Sequence, residues 1–238
     1  MPASLWSNQL AALSATHKVV ALDPRGQGES DIAAGGYTTE RRAEDIREFV
    51  ARYAPVVLVT WSMGSLEALQ YLHAHGHSKV HALVIVDSSV GEGPAPAPAP
   101  RDAPPSGFQG ELRRDRAKTV DDFLRAIFRT PQSDEAIAAL REGALRMPLE
   151  ASLSLFPGQR IPRDRWRKTV HAFPKPLLYA ITPQFRMQAQ SLKAHRPATQ
   201  VEVFENAGHA LFVDEPDRFS ALLSDFLRKH RLTVTSRD

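Results

Sequence analysis

Val56-Val57-Leu58-Val59-Thr60-Trp61-Ser62-Met63-Gly64 is the stretch that decides the fold. Its run of β-branched and aliphatic residues opens just after Pro55. A continuous apolar run of this length reads as a strand buried on both faces, as in a parallel sheet. Beyond it, Leu66, Leu69 and Leu72 recur at helical spacing, with Gly76 placed as a stop. Only a small turn around Ser62 separates strand from helix.

The same alternation extends outward in both directions. Val19–Leu22, Ala82–Val86, Leu177–Ile181 and Val201–Phe204 are further short apolar runs expected to be strands. Between them Ala43, Ile46, Val50 and Tyr53 mark one helical face. Phe219, Leu222, Leu223, Phe226 and Leu227 mark another, with Pro216 at its expected start, where a missing N–H costs nothing. Strand–helix–strand alternation implies an α/β fold with a mostly parallel sheet flanked by helices. The alternation breaks once. Gly91–Gly107 is rich in Pro and Ala and reads as an extended or mobile connector. From Phe108 to about Val170 the pattern is helical, which predicts an inserted helical lid over residues 108–170. The core then comprises residues 1–90 and 171–238.

Composition narrows the function classes. The 238 residues suffice for one sizeable core. Thirty basic residues nearly balance 27 acidic ones and are dispersed, so the net charge of +3 does not argue for a nucleic-acid partner. The absence of cysteine excludes disulfides, thiolate metal sites and a cysteine nucleophile, and fits a cytoplasmic protein. No apolar stretch approaches the roughly 20 residues needed to span a membrane, and the N-terminus lacks the pattern of a signal peptide.

A sharp turn between strand and helix lifts a serine hydroxyl clear of the sheet and sets it beside the helix N-terminus. The Met63 N–H then points toward a developing oxyanion. Of the Gly-x-Ser-x-Gly pattern, Gly64 is present and Thr60 replaces the first glycine. The plain alternative is a serine that caps the helix. A second signal is Asn206-Ala207-Gly208-His209-Ala210-Leu211-Phe212, between the last strand and the last helix. Gly208 and Ala210 leave the imidazole uncrowded at the sheet edge where open α/β sheets bind ligands. His209 is therefore the candidate base for Ser62.

Asp23-Pro24-Arg25-Gly26-Gln27-Gly28-Glu29-Ser30, Trp61-Ser62-Met63-Gly64 and Gly208-His209-Ala210-Leu211-Phe212-Val213-Asp214-Glu215-Pro216 together resemble three motifs of the α/β-hydrolase fold family. The resemblance spans about Leu5 to Lys229 and is nearest in flavour to small esterases and cofactor-free haloperoxidases. It implies a serine hydrolase of the Ser62, Asp87, His209 order, with the Asp23 turn structural. The family commonly places its acid after the penultimate strand, but no Asp or Glu occurs between Asp164 and Glu202. Asp87, closing Val84-Ile85-Val86, stands at the family's alternative position; the plain reading is a turn-capping aspartate. The resemblance further implies strands before Asp23 and a turn supplying a second oxyanion donor. These are missing from the sequence as it stands, so Met63 is the one oxyanion donor expected. Loss of one donor costs about 10²–10³ in kcat.

Other features read more plainly. His73, His75, His77 and His81 are expected to be solvated rather than to bind a metal. Trp61 is either a wall of the substrate pocket or core. Arg113, Arg114, Arg116 and Lys118 form a basic face, and Phe123, Ile127 and Phe128 are the expected underside of the lid. The expected activity is hydrolysis of a small, fairly apolar ester or lactone without a cofactor, on a small-molecule substrate. A catalytically weak binding protein and a cofactor-free perhydrolase are the alternatives.

Overall fold

The computed structural model describes residues 1–93, 107–155 and 163–232. Four strands, β1 (Val56–Trp61), β2 (Val80–Val86), β3 (Leu177–Ile181) and β4 (Gln200–Val203), form one parallel sheet in the order β1-β2-β3-β4. Consecutive strands are spatial neighbours, as short crossovers favour. The register runs straight across the sheet: Thr60 faces Ile85, Ile85 faces Tyr179 and Tyr179 faces Val201.

Side chains alternate between two apolar layers because the strand repeat is two residues. Ala82, Val84, Val86, Leu178 and Ala180 join one core, while Leu83, Ile85, Leu177, Tyr179 and Ile181 join the other. The first layer is covered by α1 (Ser7–Leu13), α10 (Leu211–Asp214) and α11 (Pro216–Lys229). The inserted helices α4 (Phe108–Arg114), α5 (Arg116–Ala126), α6 (Asp134–Arg146) and α7 (Leu149–Ser154) also bury residues in it. The second layer is covered by α2 (Thr39–Tyr53), α3 (Met63–His75), α8 (Arg163–Ala172) and α9 (Arg186–His195).

Local chemistry accounts for the helix ends. The Thr38 side chain accepts the Arg41 N–H at the start of α2. Gly76 ends α3 at φ 71°, a conformation open to glycine without strain. Pro216 occupies the first turn of α11. Trp6 stacks on Phe212 at 3.8 Å, and Gln9 donates to the Phe212 carbonyl and to Ser220 Oγ, so the N-terminal segment is fastened to α10 and α11.

Three differences from the sequence pattern are informative. Val19–Leu22 forms no strand, and Val20 and Leu22 are 40% and 37% exposed. A strand requires a partner to take its backbone groups, and β1 pairs only with β2 among the described residues. Val19 still packs on the first core, which is what its apolar character contributes. Secondly, α8, grouped by periodicity with the inserted helices, buries Trp166 and Val170 beneath the sheet beside Leu69 and Leu72. Thirdly, most of the connector at Gly91–Gly107 lies outside the described residues. Among those residues, no helix is long and apolar enough to cross a membrane.

Phe219 is fully buried where α11 meets Trp6, Phe204 and Phe212. Phe219→Ala is expected to lower stability by about 3–5 kcal/mol, read by urea unfolding, because the cavity cannot collapse between rigid rings.

Candidate active site

The hinge between β1 and α3 holds Ser62 at φ 53° and ψ −128°. Non-glycine residues reach such a conformation only where the surroundings impose it, at a cost of about 1–3 kcal/mol. Here the Ser62 N–H donates to Val86 O, and Ser88 Oγ donates to Ser62 O at 2.8 Å. The turn is thus clamped to the end of β2. Thr60, in place of a small glycine, is accommodated because its hydroxyl donates to Val84 O and pairs with Ser65 Oγ, both at 3.0 Å. At Gly64 a Cβ would meet nothing within 4 Å, so the bend rests on the Ser62 backbone and not on crowding at Gly64.

The structure brings Ser62, His209 and Asp87 together. His209 Nε2 lies 2.8 Å from Ser62 Oγ, and its Nδ1 lies 2.7 Å from Asp87 Oδ2. Facing a carboxylate, Nδ1 carries the proton, which leaves Nε2 as the acceptor for the serine hydroxyl. Asp87 is fully buried and has φ 40°. Among the described residues, only Ser62, Asp87 and Arg231 are non-glycine residues with positive φ. Two of these three strained positions therefore meet at one imidazole.

Sequence reasoning missed the partners of Asp87. Its Oδ1 accepts from the Thr182 N–H and hydroxyl, both at 2.7 Å, and its Oδ2 accepts from Gln184 Nε2 at 2.8 Å as well as from His209. Burying a carboxylate is costly unless it is fully hydrogen-bonded. The loop after β3, where no acid occurs, supplies those donors instead. No sequence signal marked them, because Thr and Gln at a strand end are ordinary loop residues.

The His209 loop is held from the other side. Asp214 accepts the Gly208 N–H at 2.7 Å and the N–H groups of Arg129 and Thr130 at 2.9 Å. Ala210 N–H donates to Ile127 O. A Cβ on Gly208 would lie 2.8 Å from both Ile127 O and Arg129 N. Glycine is required there by the close passage of the inserted chain, a reason distinct from freedom of the imidazole.

Met63 opens α3 directly after Ser62, so its N–H has no intrahelical acceptor. Trp61 takes a packing part: its indole N–H donates to His209 O at 2.8 Å and its ring meets Phe212 edge-on. Trp61 is not in the wall of the neighbouring cleft, whose lining includes Met63, Phe108, Leu112, Arg116, Val120 and Phe123. Of the other apolar candidates, Ile127 and Phe128 belong to the core. His75 pairs with Glu44, His77 packs on Phe173, and Arg113 and Lys118 pair with Glu150 and Asp122 on the surface. The Asp23 turn is structural: its carboxylate accepts the N–H groups of Ala3 and Glu29, while Arg25 binds Asp45 and Gly35 O.

Comparison with known proteins gives a consistent picture. The family model described as "Alpha/beta hydrolase family" matches residues 1–222. The chain is 26% identical over 225 residues to an AB hydrolase superfamily protein of Bacillus subtilis, covering 88% of this chain and 81% of that one. It is 30% identical over 232 residues to the pimeloyl-[acyl-carrier protein] methyl ester esterase of Cronobacter sakazakii, covering 93% and 87%. In structure it is similar to a bromoperoxidase from Bacillus anthracis, with a TM-score of 0.80 at 20% identity over 96% of this chain and 88% of that one. An esterase from Exiguobacterium antarcticum superposes with a TM-score of 0.76 at 23% identity, over 95% and 88%.

Two variants probe this geometry. Ser62→Gly relieves the backbone and is expected to raise stability by about 1 kcal/mol, measured by thermal unfolding, while removing the hydroxyl. Gln184→Leu removes one donor to a buried carboxylate, an interaction worth about 1.5–3 kcal/mol. Its expected effect is a kcat about tenfold lower on a p-nitrophenyl ester, with KM little changed.

Proposed function

The chain belongs to the alpha/beta hydrolase family, and from that premise we propose that it hydrolyses a small, fairly apolar carboxylic ester or lactone through an acyl-enzyme on Ser62. The observation that carries the reading is the unbroken line Asp87 Oδ2, His209, Ser62 Oγ, with contacts of 2.7 and 2.8 Å. Both are within the reach a general base needs.

In this reading His209 Nε2 takes the Ser62 proton as Oγ bonds to the ester carbonyl carbon. The carbonyl oxygen becomes an oxyanion facing the Met63 N–H. The tetrahedral adduct collapses by breaking its C–O bond, and His209 returns the proton to the departing alcohol. Water then gives a proton to His209, attacks the acyl carbon and releases the acid with Ser62 restored. Asp87 keeps the imidazole in its productive tautomer and offsets the imidazolium charge.

Support for the substrate class comes from the cleft beside Met63. Its enclosed volume is about 100 Å³, smaller than the roughly 300–1,000 Å³ of drug-sized ligand sites, which suits a short acyl group. Its walls are largely the apolar undersides of α4, α5 and α6, as a lid over an acyl group would provide. Arg116 is the charged side chain in that wall, and its guanidinium is turned to Ala144 O, Met147 O and Ser152 Oγ. Relatives named as esterases agree in class.

A fluorophosphonate probe is expected to label the chain at Ser62. Ser62→Ala abolishes the label and lowers p-nitrophenyl ester turnover by about 10⁴-fold or more; Asp87→Asn costs about 10⁴-fold. A folded chain that takes no label and turns over no ester of any acyl length overturns the proposal in favour of a binding role. Peroxide-dependent halide oxidation exceeding ester turnover redirects it to perhydrolysis.

A further inference from the structure

Away from Ser62, on the side of the sheet covered by α8 and α9, three ligand-bearing side chains converge that the hydrolytic reading leaves unused. They are Glu92, from the segment after β2, His171 near the end of α8 and His195 at the end of α9. One ligating atom of each lies within 4.8 Å of the others. Among the described residues this is the one group of three or more His, Cys, Asp or Glu side chains so arranged.

The arrangement has the supports a coordination site requires. Glu92 is only 3% exposed, and its Oε2 accepts from Ser191 Oγ at 2.6 Å, which orients the carboxylate. Its Oε1 meets His171 Nε2 at 2.5 Å. Arg163 donates to the main-chain oxygen of Glu92 and so does not claim the carboxylate. His195 Nδ1 donates to Ser191 O at 2.9 Å, which leaves its Nε2 with the lone pair. Ligating histidines characteristically donate their second ring N–H to a backbone carbonyl in this way. Ser191 thus steadies two of the three donors.

We infer that Glu92, His171 and His195 form a binding site for a zinc-class divalent transition-metal ion, separate from the Ser62 centre. Two imidazoles and one carboxylate suit a borderline ion, and water completes the tetrahedron. The ion would replace the direct contact between His171 Nε2 and Glu92 Oε1. Tetrahedral ligands at ordinary Zn–N distances stand roughly 3.3 Å apart. Coordination therefore requires His171 Nε2 and Glu92 Oε1, now 2.5 Å apart, to separate, and the exposed His195 ring, stacked on His171 at 4.7 Å, to close in. The bound ion would tie the segment after β2 to α8 and α9. That segment already touches α9 through Ser89 Oγ and the Val90 N–H, both donating to Gln188 Oε1 at 3.0 Å.

The test is isothermal titration of the EDTA-stripped full chain with ZnCl₂, with thermal unfolding read alongside. Wild type is expected to bind one equivalent and to unfold at a higher temperature when loaded. His195→Ala, on an exposed helix end, and Glu92→Gln are each expected to weaken binding by at least about tenfold and to cancel the thermal gain. Ser191→Ala weakens it by about tenfold through lost orientation. His75→Ala, in the separate histidine-rich segment, leaves binding unchanged. Absence of saturable binding by wild type overturns the site, as does stoichiometric binding that survives His195→Ala. Because His195→Ala keeps the Ser62 centre intact, ester turnover by this variant reports independently on the hydrolytic reading.

Discussion

The site depends on one constraint: a fully buried carboxylate must have its hydrogen-bonding capacity met. Asp87 accepts from Thr182 twice, from Gln184 and from His209. Those partners come from the loop after β3 and from the loop after β4. Satisfying one side chain therefore fixes two loops against the end of β2. The His209 ring orientation, and with it the contact to Ser62, follows from that fixation.

Backbone strain is concentrated where it is useful. Ser62 and Asp87 sit at the C-terminal ends of adjacent parallel strands, each turned into positive φ. The sheet supplies the restraint, since Ser62 N–H bonds to Val86 O and Asp87 N–H to Ala180 O. Regular pairing up to the last residue lets the next residue depart sharply. The Tyr179 hydroxyl, donating to Ser88 O at 2.7 Å, extends the same clamp from the neighbouring strand. The inserted helices add a second restraint, because Asp214 and Gly208 tie the His209 loop to the chain around Ile127 and Arg129. The inserted helices and the imidazole are thereby mechanically connected. On the opposite face the Glu92 cluster stands on the same β2-to-α9 framework.

Much of this was legible in residue order. Four of the five apolar runs become the four strands, because continuous β-branched sequence suits a strand covered on both faces where a neighbouring strand is available. Ser62 and His209 stood out because each lies in a short motif at a strand end. Asp87 stood at the alternative acid position that the family resemblance implies once the position after β3 is empty. The Thr182 and Gln184 contacts were not legible, since both residue types are common at loop starts and their significance comes from a carboxylate 95 and 97 positions away. Trp61 was ambiguous for the same reason: an indole beside a serine packs or lines a pocket according to what arrives from His209 and Phe212.

By itself, the amino-acid order determined four strands and the helical segments, the bend at Ser62, and Ser62 and His209 as a candidate pair. Those properties are local, set by side-chain period, turn chemistry and the residue at each strand end. Only the tertiary structure decided that Val19–Leu22 stays outside the sheet, that α8 joins the lower layer, and that Gln184, Asp214 and the Glu92 cluster find their partners. Each of these depends on which backbone or side chain comes to lie alongside, and a hydrogen bond between residues distant in sequence exists only once the fold has brought its two ends together.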